Sequence, residues 1–321
     1  MASNSTEIEF DYSFHKPFIY SVVGMFTLLG LWGNINVVIL HLRKKNLLNK
    51  YGTLLSLLSF CQAFCLCFEW VGILYSLTVE KITRHGCFSL LAPYVFLNSM
   101  QTGLLATISL DLLISVTFPI RHRVATVNTY IFYISIPTIS YGAITVALGA
   151  LYLDDDLIPM CNPPSSLAPN VNQIWYTAAM IAGCITIINY VITYSWIYYK
   201  SRTGRDPIEL EKRALRSITV ILFIFVFTRY IGTVVSSTLR FFHVHQAVIT
   251  LYQSYNVFFA CICYSQNYYV CITTSSEYRR LLFEQFFLFS NRTARTVHPL
   301  ASFHQSKSHL SHSLKPLSQP A

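Results

Sequence analysis

Seven apolar runs, separated by short polar connections, fill the chain from Phe18 to Thr273. They cover about 18–42, 51–77, 88–115, 130–153, 174–199, 217–239 and 248–273. Each can cross a hydrocarbon core of about 30 Å, which takes roughly 20 helical residues. A helix satisfies its own backbone groups in lipid, so it is the expected form of every run. The pattern predicts an all-α membrane protein, a seven-transmembrane helix bundle over residues 18–275. Residues 1–17 are a short tail. Past the seventh run, Ser276–Phe287 alternates apolar and charged positions at helical spacing, with Leu282, Phe283, Phe286 and Phe287 on one face. It reads as an amphipathic juxtamembrane helix over 276–289. From Ser290 the chain is rich in Ser, His and Pro and is expected to be disordered to residue 321. Pro207, followed by good helix formers through Arg216, predicts a polar extension of the sixth helix.

Charge adds an orientation. The chain carries a net charge of +9 with only 12% charged residues, too few for a typical soluble domain. Basic residues gather in alternate connections: Arg43, Lys44, Lys45 and Lys50; Arg121 and Arg123; Lys200 to Arg216; Arg279 and Arg280. The other connections hold Glu7, Glu9 and Asp11, then Glu80, then Asp154, Asp155 and Asp156. The positive-inside rule therefore puts the N-terminus outside and the juxtamembrane helix on the inner face. The basic excess is topological, and no nucleic-acid partner is expected. The first run follows acidic residues and is expected to act as a signal anchor. Asn4-Ser5-Thr6 is a glycosylation sequon on the outer side.

Nine cysteines are present. Seven lie in the spans as small apolar packing residues. Only Cys87 and Cys161 face the oxidising side, and a disulfide between them is expected. The sequence holds no GxSxG, HExxH or Walker loop, so no enzyme is expected, and no cofactor or metal. His243 and His245 read as part of a solvated loop. No internal repeat supports a two-halved transporter.

Two ionisable residues, Glu69 and Arg229, lie deep in their spans, where such groups are costly and usually face the bundle interior. They are expected to line a ligand cavity and to pair directly or through the ligand. Tyr252, Tyr255 and Asn256 share a face of the seventh helix. Trp175 and Tyr176 open the fifth, where an aromatic belt at the interface is the competing reading.

Several local marks resemble rhodopsin-like G-protein-coupled receptors. Gly33-Asn34 matches their first-helix pair; Cys87 precedes Asp111 by the separation those receptors keep between disulfide cysteine and motif acid; Phe118-Pro119-Ile120 matches their second inner loop. Tyr264-Ser265-Gln266-Asn267-Tyr268-Tyr269-Val270 leading into Ser276-Glu277-Tyr278-Arg279 resembles the nematode serpentine chemoreceptors of the SX class. There are departures. Leu112-Leu113 replaces the motif's Arg-Tyr, Tyr268 its seventh-helix proline, Gln62 its second-helix aspartate and Arg229 its sixth-helix tryptophan, and the fifth and sixth spans lack proline.

The resemblance implies an orphan chemosensory receptor at the plasma membrane, with sensory cilia as the location its family suggests, that signals a small molecule to a heterotrimeric G protein. It places Tyr94 and Asn98 in the ligand cavity. It groups Asn34, Gln62, Gln101 and Asn267 as a core polar network without a tight sodium site. Asp111, Leu112, Pro119, Arg121, Arg216, Glu277, Tyr278 and Arg279 fall on the G-protein side. A neuropeptide receptor is an alternative, since the acidic outer residues would suit a basic peptide. A non-signalling scaffold or channel subunit is the alternative from another class, kept open by Leu112.

Overall fold

The computed structural model describes residues 15–44, 49–79, 81–158, 160–202, 209–242 and 244–297. The Asn4 sequon, the acids at Glu7, Glu9, Asp11 and Glu80, Pro207, His243 and the tail beyond Val297 lie outside them. The helices are α1 (His15–Arg43), α2 (Lys50–Thr78), α3 (Arg84–Thr117), α4 (Pro119–Val124), α5 (Val127–Leu151), α6 (Pro163–Ser166), α7 (Pro169–Arg202), α8 (Glu209–Phe225), α9 (Ile231–Phe241), α10 (Gln246–Thr274) and α11 (Ser276–Val297). A π-helical turn, Val226–Tyr230, joins α8 to α9 in one continuous rod. Among the described residues, six helices are long and apolar enough to cross a membrane. The seventh run is α10, as long as α1 and α2 at 29 residues, with Gln253, Asn256, Gln266 and Asn267 along it.

The distribution of side chains is that of a protein in lipid. Leu28, Phe132, Ile144 and Phe223 are exposed, while Asn34, Gln62, Asn98 and Asn267 are almost fully buried. Such an apolar exterior would aggregate in water and is ordinary against hydrocarbon. Helix ends follow local chemistry. Asn49 caps α2 through the Gly52 N–H at 2.7 Å, and Thr83 caps α3 through the Gly86 N–H at 3.2 Å. Pro119 and Pro163 open α4 and α6 from the first turn, where a missing N–H costs nothing.

Helix α3 is the axis, packed against α2, α5 and α7. Glycines permit the closest approaches. A Cβ on Gly149 would sit 2.5 Å from the Phe88 ring of α3 and 2.9 Å from Leu167. Phe88 and Leu167 are buried and cannot swing into solvent. Gly149→Val is therefore expected to cost about 1–3 kcal/mol by overpacking, checked as a lower thermal-unfolding midpoint of the purified protein.

Contacts gather the connections into two ends. At one, Lys44 pairs with Glu284 at 3.0 Å, Lys200 donates to the Val116 carbonyl at 3.0 Å, and Lys50 to that of His122. Lys44 holds the Glu284 carboxyl below the usual range. This is the basic end. At the other, Cys87 and Cys161 are joined by a disulfide. The loop after α5 runs beside the start of α3, with Arg84 N–H to Asp156 O and Ile158 N–H to Ile82 O, both 2.9 Å.

Two expectations are corrected. Helix α11 continues to Val297, eight residues beyond 289, because 290–297 contains neither Gly nor Pro and Pro299 follows. Its apolar residues also divide: Leu281 and Leu282 pack on Leu40, while Phe283 and Phe286 face outward.

Candidate ligand-binding site

A cavity of about 730 Å³, its open mouth included, lies between α1, α2, α3, α7, the π-helical turn and α10. Met160 to Pro164 lie across it from the disulfide loop. That segment is well held. The Cys161 N–H donates to Ser76 Oγ at 3.2 Å, Asn162 caps α6 through the Ser165 N–H, and Asn172 Nδ2 donates to the Pro164 carbonyl at 2.6 Å. The walls are mostly apolar, with polar groups concentrated at Glu69, Tyr94, Asn98, Arg229, Gln253 and Asn256. A few placed polar groups in an otherwise apolar pocket are what a small-molecule site requires.

The polar groups form one connected row. Tyr94 Oη lies 2.7 Å from Glu69 Oε1 and 2.9 Å from Tyr264 Oη. Tyr264 Oη donates to Asn98 Oδ1 at 3.0 Å. The same oxygen accepts from Gln101 Nε2 and from Arg229 Nη2, each at 2.7 Å. The Arg229 guanidinium also stands 5.6 Å from the centre of the Tyr264 ring, within cation–π range. One carboxamide on α3 thus ties together the π-helical turn of the sixth span and α10.

A model of the Srsx family, the serpentine-type seven-transmembrane G-protein-coupled chemoreceptors, matches residues 27–286. The chain belongs to this family. No curated protein matches it. Seven-transmembrane architecture and membrane embedding follow from Srsx membership, and the described helices agree with both.

Several expected positions in this Srsx chain are rearranged. Among the described residues no ion pair joins Glu69 to Arg229; Tyr94, Tyr264 and Asn98 stand between them. Tyr252 and Tyr255 do not line the cavity. Tyr252 Oη reaches the Gly232 carbonyl at 3.3 Å, and Tyr255 meets the Phe258 ring edge-on. The face of α10 that lines it runs through Gln253, Asn256, Val257 and Ala260, and only Asn256 belongs to both sets. Trp175 and Tyr176 are buried cavity residues rather than an interfacial belt, and Trp175 Nε1 donates to Ser99 Oγ at 2.9 Å.

Among the described residues no direct hydrogen bond joins the four amides expected to share one network. Asn34 Nδ2 donates to the Tyr264 carbonyl at 2.7 Å, Gln62 Nε2 to that of Cys263 at 3.3 Å, and Asn267 Nδ2 to Ser59 Oγ at 3.0 Å. They fasten α1 and α2 to α10, the first two using spare lone pairs on helix carbonyls and the third the Ser59 hydroxyl oxygen. Gln101 belongs to the cavity row instead.

The basic end also differs. Leu112 is buried in the main core, and Asp111 is buried against His122 Nε2 at 2.9 Å. Neither presents a surface. Pro119 opens α4 beside them, Arg121, Arg216 and Arg279 are exposed, and Glu277 and Tyr278 are half-buried. At the opposite end, Asp154 and Asp156 pair with Arg84, and Asp155 with His85 at 3.2 Å. The acidic loop is thus engaged within the chain.

Tyr264 and Gln253 were missed as site residues. The signal was the helical series Gln253, Asn256, Ala260, Tyr264, Asn267, hidden because α10 is largely apolar on its other faces too.

Proposed function

We propose that this chain is a chemosensory receptor of the plasma membrane, N-terminus outside, that converts small-molecule binding in the cavity into activation of a heterotrimeric G protein. Sensory cilia are a fitting location for such a receptor. The observation that carries this reading is the cavity beside the disulfide-linked loop, whose polar row reaches the sixth span. A ligand touching that row can bias the helical equilibrium, which is what a receptor needs. A small molecule is favoured over a basic peptide, because the cavity's few polar groups are set among mostly apolar walls beneath the Met160 to Pro164 segment. Arg121, Arg216 and Arg279 supply the docking surface on the cytoplasmic side.

The test is G-protein dissociation in cells, measured for the unmodified chain and for Leu112→Arg against small-molecule and peptide libraries. A ligand response in the unmodified chain is expected and would establish coupling with leucine in the motif. Response in Leu112→Arg alone would mean an intact ligand switch with lost coupling. Silence in both, with surface expression confirmed, would favour the scaffold reading.

A further inference from the structure

We infer that the cavity is cationic and takes a small amphipathic carboxylate, anchored by Arg229. The inference rests on the cavity being the ligand site of the proposed receptor. Three observations support it.

The first is a count of protons. Three O···O contacts run from Glu69 through Tyr94 and Tyr264 to Asn98, at 2.7, 2.9 and 3.0 Å. With Glu69 ionised, the two tyrosines supply only two protons for them. A neutral Glu69 carboxyl supplies the third, and every contact in the row then holds one. Arg229, which stays protonated in proteins, is left as the only charge among the residues lining the cavity.

The second is that Arg229 is under-used. Among the described residues its guanidinium makes one hydrogen bond, to Asn98 Oδ1, an acceptor already holding Gln101 and Tyr264. Three donors compete there for two lone pairs. A guanidinium offers five donors in a planar fork that matches a carboxylate.

The third is a set of buried polar atoms without partners. Among the described residues, Gln253 Nε2 is an unpaired donor in the cavity wall, on a side chain only 9% exposed, Tyr20 Oη in the same wall is also unpaired, and Asn256 Oδ1 is an unpaired acceptor that calls for a donor elsewhere on the ligand. Leaving such groups unmet is costly. Gln253 and Tyr20 would meet the second carboxylate oxygen or a polar group beside it. Ile73, Val257 and Ala260 would take an apolar body. On binding, the carboxylate displaces Asn98 from Arg229 and releases the π-helical turn from α3.

The experiment measures thermal unfolding of the full-length receptor in nanodiscs. The probes are C6–C10 aliphatic and aryl-alkyl carboxylates, with the alcohol and the amine of each skeleton as controls. Carboxylates are expected to raise the midpoint and their matched controls not to. Arg229→Gln should weaken carboxylate binding about tenfold to a hundredfold, and Arg229→Lys should retain part of it. Glu69→Gln tests the charge on that carboxyl: no gain in carboxylate binding is expected, because only an ionised Glu69 would repel the ligand and be relieved by the substitution. Variants are compared only when monodisperse. The inference is overturned if no carboxylate shifts the midpoint, if controls shift it equally, if Arg229→Gln binds normally, or if Glu69→Gln binds more than about tenfold tighter. Carboxylate binding without G-protein dissociation would refute the receptor reading alone. Dissociation evoked by amines or alcohols but not carboxylates would refute the inference alone.

Discussion

Asn98→Leu should be among the most damaging single substitutions in this receptor. Leucine has nearly the shape of asparagine and no acceptor. Gln101 Nε2, Tyr264 Oη and Arg229 Nη2 would all lose the oxygen they share. Asn98 is 1% exposed, so the donors it serves are themselves largely out of bulk solvent. Orphaned buried donors cost about 1–3 kcal/mol each, and more when charged, so a loss of about 3 kcal/mol or more is expected. The check is the thermal midpoint of purified receptor beside the fraction reaching the cell surface. Asn98→Asp is the informative companion. It keeps the acceptor and adds an anion against Arg229, so the fold should survive. The same anion would occupy Arg229 permanently, and carboxylate binding should fall. If Asn98→Leu unfolds no earlier than the unmodified chain, the three bonds to this oxygen do not hold the bundle.

Cys87→Ser should have the second large effect. The bond closes a loop across a sequence separation of 74. Cross-links of this kind contribute about 2–5 kcal/mol in secreted domains. Here the effect should reach the ligand as well, because Cys161 lies in the segment that lines the cavity. Bonds from Cys161 N–H to Ser76 and from Ile158 N–H to Ile82 remain, so the loop should loosen without detaching. Reduced surface expression and weaker ligand-induced stabilisation are the expected readouts. The Cys87→Ser, Cys161→Ser double variant should be no worse than either single one, since both remove one bond. A double variant that is clearly worse would assign the cysteines separate roles.

The fold class was legible because length and hydropathy alone decide it. Lipid leaves few choices for an apolar run of about 20 residues. Cys87 and Cys161 were legible because the order of the spans leaves only those two cysteines together at one end of the bundle, outside the span interiors. The angular placement of residues was less so. In water a helix declares its buried face by contrast with its polar one. In lipid the outer face is apolar too, so Tyr252 and Tyr255 looked as suited to the cavity as Gln253 and Val257 did. Of the two pairings open to Glu69 and Arg229, the direct one is absent among the described residues, because charge alone does not show what stands between them. Three neutral side chains, Tyr94, Tyr264 and Asn98, fill the space between them. The acidic loop looked available because Arg84 and His85 lie some 70 residues earlier.

The π-helical turn at Val226–Tyr230 has a consequence for comparing this chain with its relatives. A π turn holds about one residue more than an α turn. Everything beyond it, from Ile231 to Phe241, is advanced round the axis by about 100° relative to an uninterrupted helix. The turn works as a one-residue insertion hidden inside a span of unchanged appearance. A gapless alignment with a receptor whose sixth helix is α throughout will match inner halves correctly and outer halves to the wrong face. Positions inferred to touch ligand in one would then point at lipid in the other, and the phase break has to be placed at Arg229 before any such transfer is made.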